Sequence, residues 1–191
     1  DPVQAIVAEA DTCDADLTIT GLSEKSGARG LIDGTILERL LMASAKPSIV
    51  VKSRPVRNYE SVLVGLDLSS TSRHALEAAL RVAPTADFTI AHAKEGGSGD
   101  GDTGDRLART TRECLAAARK EVGIHEGAVQ IVIEDGQVAD VLSRCARKSP
   151  PDLVAFGKHN KGLSHGPYIG SGARGVLEAL DADMLIVPPS G

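Results

Sequence analysis

The chain has 191 residues with a net charge of −5, and its 42% hydrophobic and 25% charged residues are values of a globular protein rather than a disordered one. The negative charge balance argues against nucleic acids and anionic membranes as partners, and an aromatic content of 2% without tryptophan argues against base stacking. No apolar run approaches the ~20 residues of a membrane span, so we expect no membrane partner.

The first fifty residues are predicted to form two helix–strand pairs. Apolar residues at helical spacing predict helices over residues 2–13 and 35–44, and branched aliphatic runs predict strands over residues 17–20 and 48–51. Two strands and two helices cannot bury both faces of their own sheet. We therefore expect the bare edge of residues 17–20 to need a partner.

The rest of the chain alternates strands with helices. Ser69 and Ser70 stand where they can cap the first of these helices, and the third and fourth are predicted at residues 138–146 and from Ser171 onward. The strand segments are residues 61–66, 88–93, 129–133, 152–156 and 184–187. Because such alternation needs crossover connections, we predict an α/β fold: a doubly wound parallel five-stranded sheet, in the order 3-2-1-4-5, with helices on both faces.

Two short segments of this part are predicted to lie outside helices and strands. Residues 96–101 contain only glycine, serine and aspartate, which is typical of a flexible loop. Residues 134–136 end in a glycine and are predicted to form a turn after the third strand.

An internal repeat relates the two parts. Residues 16–21 recur as residues 152–157, an offset of 136 residues, and the same offset carries residues 49–51 onto residues 185–187 without a gap. We therefore expect residues 1–53 to be the C-terminal half of a first unit, residues 54–60 a linker, and residues 61–191 a complete unit. The repeat also predicts a further half-unit of roughly eighty residues before residue 1.

The three cysteines share no close spacing. Cys13, Cys114 and Cys145 each fall in a helical pattern, so we expect free, buried thiols and neither a disulfide nor a metal site. Free thiols are consistent with a reducing cytoplasm.

A ligand of a doubly wound sheet lies beyond the carboxyl ends of the strands, where the strand order reverses. Asp67 follows the first strand of the complete unit, and residues 92–93 end the second. Gly157 begins the loop after the fourth strand, and Gly170-Ser171 open a helix whose N–H groups suit an anion.

Each of these residues has an ordinary structural interpretation as well. Asp67 could simply cap a helix from Thr71, and Gly170-Ser171 could be a plain helix start. Lys158 and Lys161 are expected to be surface charges. No nucleophile motif, P-loop or metal-ligand cluster is visible, so the sequence predicts no catalytic residue and no metal site of its own.

The complete unit resembles the universal stress protein family, from residues 62–69 to residues 185–188. The ATP-binding branch of that family carries Gly, two residues, Gly, nine residues, then Gly-Ser or Gly-Thr. Gly157 and Gly170-Ser171 have this spacing, but Asn160 replaces the middle glycine. Asparagine is the residue that best tolerates positive φ after glycine, so this replacement damages the loop little.

The first unit is similar to the family's closing segment over residues 34–41 and 47–51. Gly21 and Gly34-Thr35 keep the motif spacing, but Glu24 stands at the middle position and would repel a triphosphate. We therefore expect ATP, with magnesium, in the complete unit. The resemblance implies that Asp67 and Ala93 contact base and ribose. It assigns the phosphates to Gly157, Asn160, Gly170 and Ser171.

Three functions stay open at this point. The first is a cytoplasmic, non-catalytic stress-response module that senses or stores an adenine nucleotide. The second is a protein-interaction module of the same family without nucleotide binding, and the third is a weak ATP hydrolase or phosphotransferase. The resemblance also implies that the last strands of the two units, residues 49–51 and 185–187, pair antiparallel, and a homodimer of such chains is consistent with it.

Overall fold

A computed structural model describes residues 1–21, 36–52, 57–94, 101–122, 127–158, 175–176 and 179–189. The helices are α1 (Pro2–Thr12), α2 (Ile36–Ala43), α3 (Ser70–Val82), α4 (Gly101–Val122) and α5 (Val138–Lys148), and residues 175–176 and 179 are also helical. The strands are β1 (Thr18–Gly21), β2 (Ser48–Val51), β3 (Ser61–Gly65), β4 (Asp87–Lys94), β5 (Val129–Asp135), β6 (Leu153–Gly157) and β7 (Asp183–Val187).

The predicted α/β class is confirmed, with corrections at some element ends. Of the loop predicted at residues 96–101, residues 96–100 lie outside the described residues and Gly101 already begins α4. Glu134 and Asp135 belong to β5 and not to a turn, because they pair with Ala93 and Lys94 of β4. The helix start predicted at Ser171 also lies outside the described residues.

All seven strands form one sheet, in the order β1-β2-β7-β6-β3-β4-β5. Counted in chain order, the strands of residues 61–187 stand in the order 3-2-1-4-5 within it. Every neighbouring pair is parallel except β2 and β7. This antiparallel pair, called the seam below, places Ser48 opposite Ile186, Ile49 opposite Leu185 and Val50 opposite Met184. The two strands that the sequence predicts to pair therefore do so.

Helices cover both faces of the sheet. On one face, α3 and α4 bury a cluster that contains Val64, Leu76 and Phe88. On the other face, α5 and α2 bury a second cluster that contains Leu41 and Leu142. The interior is built almost wholly of aliphatic side chains, as the low aromatic content predicts. None of the helices in the described part of the chain is long and apolar enough to cross a membrane.

Equivalent positions of β1 and β6 differ sharply in exposure. Ala155 of β6 is fully buried, because it pairs with Val64 of β3 and belongs to the core cluster under α3. Ile19 of β1, 136 residues earlier, is 65% exposed. In the described part of the chain β1 is an edge strand with β2 as its neighbour.

The cysteine expectations hold for two of three residues. Cys114 and Cys145 are free and buried, and burial raises the pKa of the Cys114 thiol to about 11. Burial also raises the pKa of Cys145. Cys13 is free but exposed, so its predicted burial is wrong. The reason is that α1 ends at Thr12, which leaves Cys13 as the cap residue beyond the last turn.

Asp152, just before β6, accepts hydrogen bonds from residues at the start of β3. Its Oδ2 accepts hydrogen bonds from the Glu60 N–H at 2.9 Å, the Ser61 N–H at 3.0 Å and the Ser61 hydroxyl at 3.0 Å. Burial acts to raise the pKa of this carboxyl, but these hydrogen bonds and one from Arg57 outweigh it and lower the pKa. The ionised carboxylate therefore stabilises the contact between β3 and β6.

Replacing Asp152 by alanine is expected to lower the free energy of unfolding by about 2 kcal/mol at neutral pH, because two backbone N–H groups lose a charged acceptor. Asp16, its repeat equivalent, is exposed, so Asp16→Ala is the matched control and should change stability by less than about 0.5 kcal/mol. Urea unfolding measures both variants.

The pH dependence has a definite sign. Because the folded pKa of Asp152 lies below the ordinary 3.8, its contribution is complete above that value and is lost as the pH falls through the folded pKa. The difference between wild type and Asp152→Ala should therefore shrink on acidification. A difference that grows as the pH falls would contradict this role.

Candidate functional site

The predicted crevice lies where the carboxyl ends of β3, β4 and β6 meet. β3 has β4 on one side and β6 on the other, which makes this end of the sheet the point where strand order reverses. The Leu66 N–H donates to the Ala91 carbonyl at 2.9 Å, and Nδ1 of His92 lies 2.7 Å from the Leu66 carbonyl. The segment that leaves β3 is thereby fixed to the end of β4, and the exposed Asp67 follows it.

A short polar network joins Asp67 to the start of α3. Asp67 Oδ1 accepts from the Ser69 N–H at 3.0 Å, and the Asp67 N–H donates to the Ser72 hydroxyl at 3.3 Å. Ser69 is the N-cap, since its hydroxyl accepts from the Ser72 N–H at 3.1 Å. The interpretation of Asp67 as a cap for a helix from Thr71 is therefore wrong, whereas the predicted capping role of Ser69 is confirmed.

The turn between β3 and α3 carries an unusual backbone conformation. Leu68 has φ of +66°, a left-handed conformation that non-glycine residues adopt at a cost of roughly 1–3 kcal/mol. The network of Asp67, Ser69 and Ser72 holds the chain in this tight turn. As a result, the carboxylate of Asp67 and the N-terminus of α3 lie at the same end of the sheet.

Gly157, the last residue of β6, packs directly on this N-terminus. A Cβ atom at Gly157 would lie 2.7 Å from Thr71 Cγ2, 2.8 Å from the Thr71 carbonyl carbon and 2.9 Å from the Ser72 nitrogen. No side chain fits there, so glycine is needed for packing whether or not a ligand binds. The contact brings the end of β6 next to the turn that carries Asp67.

The remaining predicted site residues are placed differently. Ala93 lies near the end of β4, opposite Glu134 of β5, and its partly buried side chain packs against the core cluster under α5. Asn160, Gly170 and Ser171, the residues expected to contact phosphates, lie outside the described residues. Of the predicted site, the structure thus describes Asp67, Ala93 and Gly157, at the carboxyl ends of β3, β4 and β6.

Lys158 contradicts the expectation that it is a surface charge. Only 5% of this residue is exposed. Its Nζ donates to the carbonyls of Leu41 at 2.8 Å and Met42 at 3.1 Å, in the last turn of α2. Burial lowers the pKa of its amino group. The carbonyl end of a helix attracts a cation, and this attraction offsets part of the desolvation cost. Lys161 lies outside the described residues.

A second lysine spans the seam. Lys52 Nζ donates to the Leu180 carbonyl at 2.6 Å, and its backbone N–H donates to Asp183 Oδ1 at 2.8 Å. Burial lowers the pKa of Lys52, although Asp181 and Asp183 act in the opposite direction. Tyr59 donates to Asp183 Oδ2 at 2.8 Å, and burial together with this carboxylate raises the pKa of the phenol. Hydrogen bonds of Lys52 and Tyr59 therefore stabilise one end of the seam, and those of Lys158 lie at the other end.

A groove of about 520 Å³ lies at the opposite end of the sheet. Ser61, Thr89 and Gln130 line it beside the end of α5, at Cys145 and Lys148. The predicted site residues that the structure describes, which are Asp67, Ala93 and Gly157, do not line this groove, and Gln130 donates to Thr89 at 2.8 Å. Within the described ranges, no cluster of histidine, cysteine, aspartate or glutamate could hold a metal ion.

Comparison with protein families gives one match. The model of the universal stress protein family matches residues 58–188, which is more than half of the chain. No curated protein matches the chain.

Several solved structures are similar. A universal stress protein of Archaeoglobus fulgidus DSM 4304 has a TM-score of 0.71 at 20% identity, covering 98% of this chain and 65% of its own. A protein of unknown function from Pseudomonas aeruginosa PAO1 has a TM-score of 0.66 at 23% identity, covering 98% of this chain and 68% of its own. Both structures are similar to this chain in fold, and this chain spans about two thirds of the length of each.

A third structure is a universal stress protein in complex with cAMP. Its TM-score is 0.52 at 27% identity, and the match covers 69% of this chain and 98% of that one. The match therefore includes nearly the whole of that protein but only about two thirds of the present chain.

Proposed function

Since the chain belongs to the universal stress protein family, we propose that it is a cytoplasmic stress-response module that binds an adenine nucleotide, ATP with magnesium, in the crevice of residues 61–191. The carrying observation is the junction at the crevice floor, where the end of β6 meets the N-terminus of α3 beside Asp67. An anion is stabilised at such a helix start. The cAMP complex of a 27% identical family member supports an adenine ligand.

In this proposal each site residue has a chemical role. Asp67 accepts hydrogen bonds from the ribose or the adenine amine, and Ala93 borders the base. The phosphates lie over Gly157, Asn160, Gly170 and Ser171. Magnesium would be held mainly by the phosphate oxygens, because the described residues offer no ligand cluster of their own. A sensor or store of nucleotide fits this set of residues better than a hydrolase, which needs a group to position water.

The domain organisation is part of the same proposal. Residues 1–53 form half of a first unit, residues 54–60 a linker and residues 61–191 the complete unit. The support is the exposure of Ile19 beside the burial of its equivalent, Ala155. The edge of β1 would accept a parallel strand followed by a helix, as β6 accepts β3 and α3. This edge, which no strand of the described residues covers, is also the observation that favours the second candidate function, an interaction module without nucleotide.

Calorimetry with ATP and magnesium tests the proposed ligand. We expect saturable binding to the full chain, and Gly170→Val should weaken it tenfold or more, about 1.4 kcal/mol per tenfold, by crowding the predicted helix start. The repeat supplies the matched control, since Gly34→Val changes the equivalent position of the first unit and should leave the affinity unchanged.

The outcomes separate the three functions. Absence of heat at millimolar ATP would overturn the nucleotide proposal in favour of the interaction module. Release of ADP during the titration would favour the hydrolase. Equal effects of Gly170→Val and Gly34→Val would show that the binding site is not in the complete unit.

A further inference from the structure

We propose that Lys158 couples the crevice of the complete unit to the seam, so that the packing of α2 and the conformation of the α3 N-terminus change together. The inference rests on the proposed function only where nucleotide affinity is concerned. Its structural part rests on the contacts of two consecutive residues. Gly157 packs on the N-terminus of α3, and Lys158 hydrogen-bonds α2 and β7.

On the seam side, the contact is a buried cap on a helix that is distant in sequence. The Lys158 amino group donates to two carbonyls of the last turn of α2, at 2.8 and 3.1 Å. Those carbonyls have no partner within the helix, since the last turn of any α-helix leaves its carbonyls unpaired. Removing the amino group therefore leaves buried acceptors without this donor and should loosen the end of α2.

The backbone at this point is held as well. The Lys158 N–H donates to the Val187 carbonyl at 2.7 Å, which ties it to the end of β7. β7 is the seam strand that pairs with β2. The main chain of Lys158 is thus fixed to β7 of the seam, and its side chain is fixed to the end of α2, the helix that precedes β2.

On the crevice side, the preceding residue has no freedom to move independently. Gly157 lies against Thr71 and Ser72 so closely that a Cβ atom would approach them to 2.7–2.9 Å. Ser72 is 2% exposed, and its N–H and hydroxyl both take part in the network with Ser69 and Asp67. A shift of residues 157–158 must therefore move the α3 N-terminus or open a gap beneath it.

Lys52 provides a natural comparison within the same seam. It also donates to a carbonyl at a helical end across the seam, at Leu180, and its backbone N–H donates to Asp183, the first residue of β7. Lys52 directly follows β2, whereas Lys158 directly follows Gly157, which packs on the N-terminus of α3. Loss of either lysine should loosen the seam, and only loss of Lys158 should disturb the start of α3.

Hydrogen exchange of the full chain, measured by mass spectrometry without ligand, tests the structural part. In Lys158→Met, which keeps the length of the side chain, exchange should become about tenfold faster both in residues 36–44 and in residues 66–73. In Lys52→Met, exchange should become faster near residues 179–184 while residues 66–73 remain as in the wild type. Lys158→Arg retains a donor and should show the smaller change at both places.

Two results would overturn the coupling. One is wild-type exchange of residues 66–73 in Lys158→Met. The other is equal acceleration of that segment in Lys158→Met and Lys52→Met, which would indicate a general loss of stability. A variant that does not fold is replaced by Lys158→Arg, for which the same comparison applies.

The nucleotide part is measured separately, by titrating ATP into the same variants. The expected result is a dissociation constant about tenfold higher for Lys158→Met and unchanged for Lys52→Met, because coupling between sites is reciprocal. If the wild type binds no ATP but the exchange pattern holds, the proposed ligand fails and the coupling stands. If ATP binds and neither lysine matters to exchange or affinity, the coupling fails and the proposed function stands.

Discussion

Replacing Val50 and Ile186 together by lysine is expected to abolish cooperative unfolding of the two halves of the chain. Val50 is fully buried and Ile186 is 2% exposed, and both lie in the core cluster that also contains Leu41. Two ammonium groups without counter-charges in this apolar seam should cost more than about 4 kcal/mol. Thermal and urea unfolding, followed by circular dichroism, should show two broad transitions instead of one.

Ile19→Lys is the matched control for this experiment. It introduces the same charge into β1, next to β2, at a position that is 65% exposed. We expect it to change stability by less than about 0.5 kcal/mol. A single sharp transition at the wild-type temperature in the double variant would show that the β2–β7 pairing does not hold the halves together.

Gly157→Ala is expected to destabilise the protein by about 1–3 kcal/mol, which is typical of overpacking. The added methyl group would lie within 2.9 Å of the Ser72 nitrogen and the Thr71 carbonyl carbon, and backbone atoms cannot swing aside as the end of a flexible side chain can. The N-terminus of α3 would have to move away from β6. Urea unfolding measures the loss.

The control is Gly21→Ala, which the repeat places at the equivalent position of β1. A Cβ atom at Gly21 would meet no atom of the described residues within 4 Å, so this substitution should be close to neutral. Equal losses for Gly157→Ala and Gly21→Ala would contradict the packing role of Gly157. They would point instead to the intrinsic backbone effect of alanine at a strand end.

Local sequence patterns were sufficient to predict most of the fold. Branched aliphatic runs located the strands, and the serine before α3 located its N-cap because capping depends on residues only three apart. The offset repeat identified β2 and β7 as equivalent strands. Their antiparallel pairing was predicted from the resemblance to the universal stress protein family, and it covers two short apolar edges that would otherwise be exposed.

Long-range contacts account for what the sequence could not show. Lys158 stands in a segment rich in charged and polar residues and is predicted to be exposed, yet its partners, Leu41 and Met42, lie more than a hundred residues earlier. Gly157 fits a phosphate motif, but its close contact with Thr71 is visible only in three dimensions. For Asp67, the location of Ser69 as the N-cap excludes the capping role, and contact with a ligand stays a prediction.

The most direct test of nucleotide binding is an ATP–magnesium titration of the full chain, followed by the backbone amide signals in NMR spectra. We expect saturable shifts at Asp67, Ala93 and Gly157, and none at Gly21. Absence of any shift at millimolar ATP, or shifts confined to Thr89 and Gln130 in the groove at the opposite end of the sheet, would contradict a nucleotide site in the crevice.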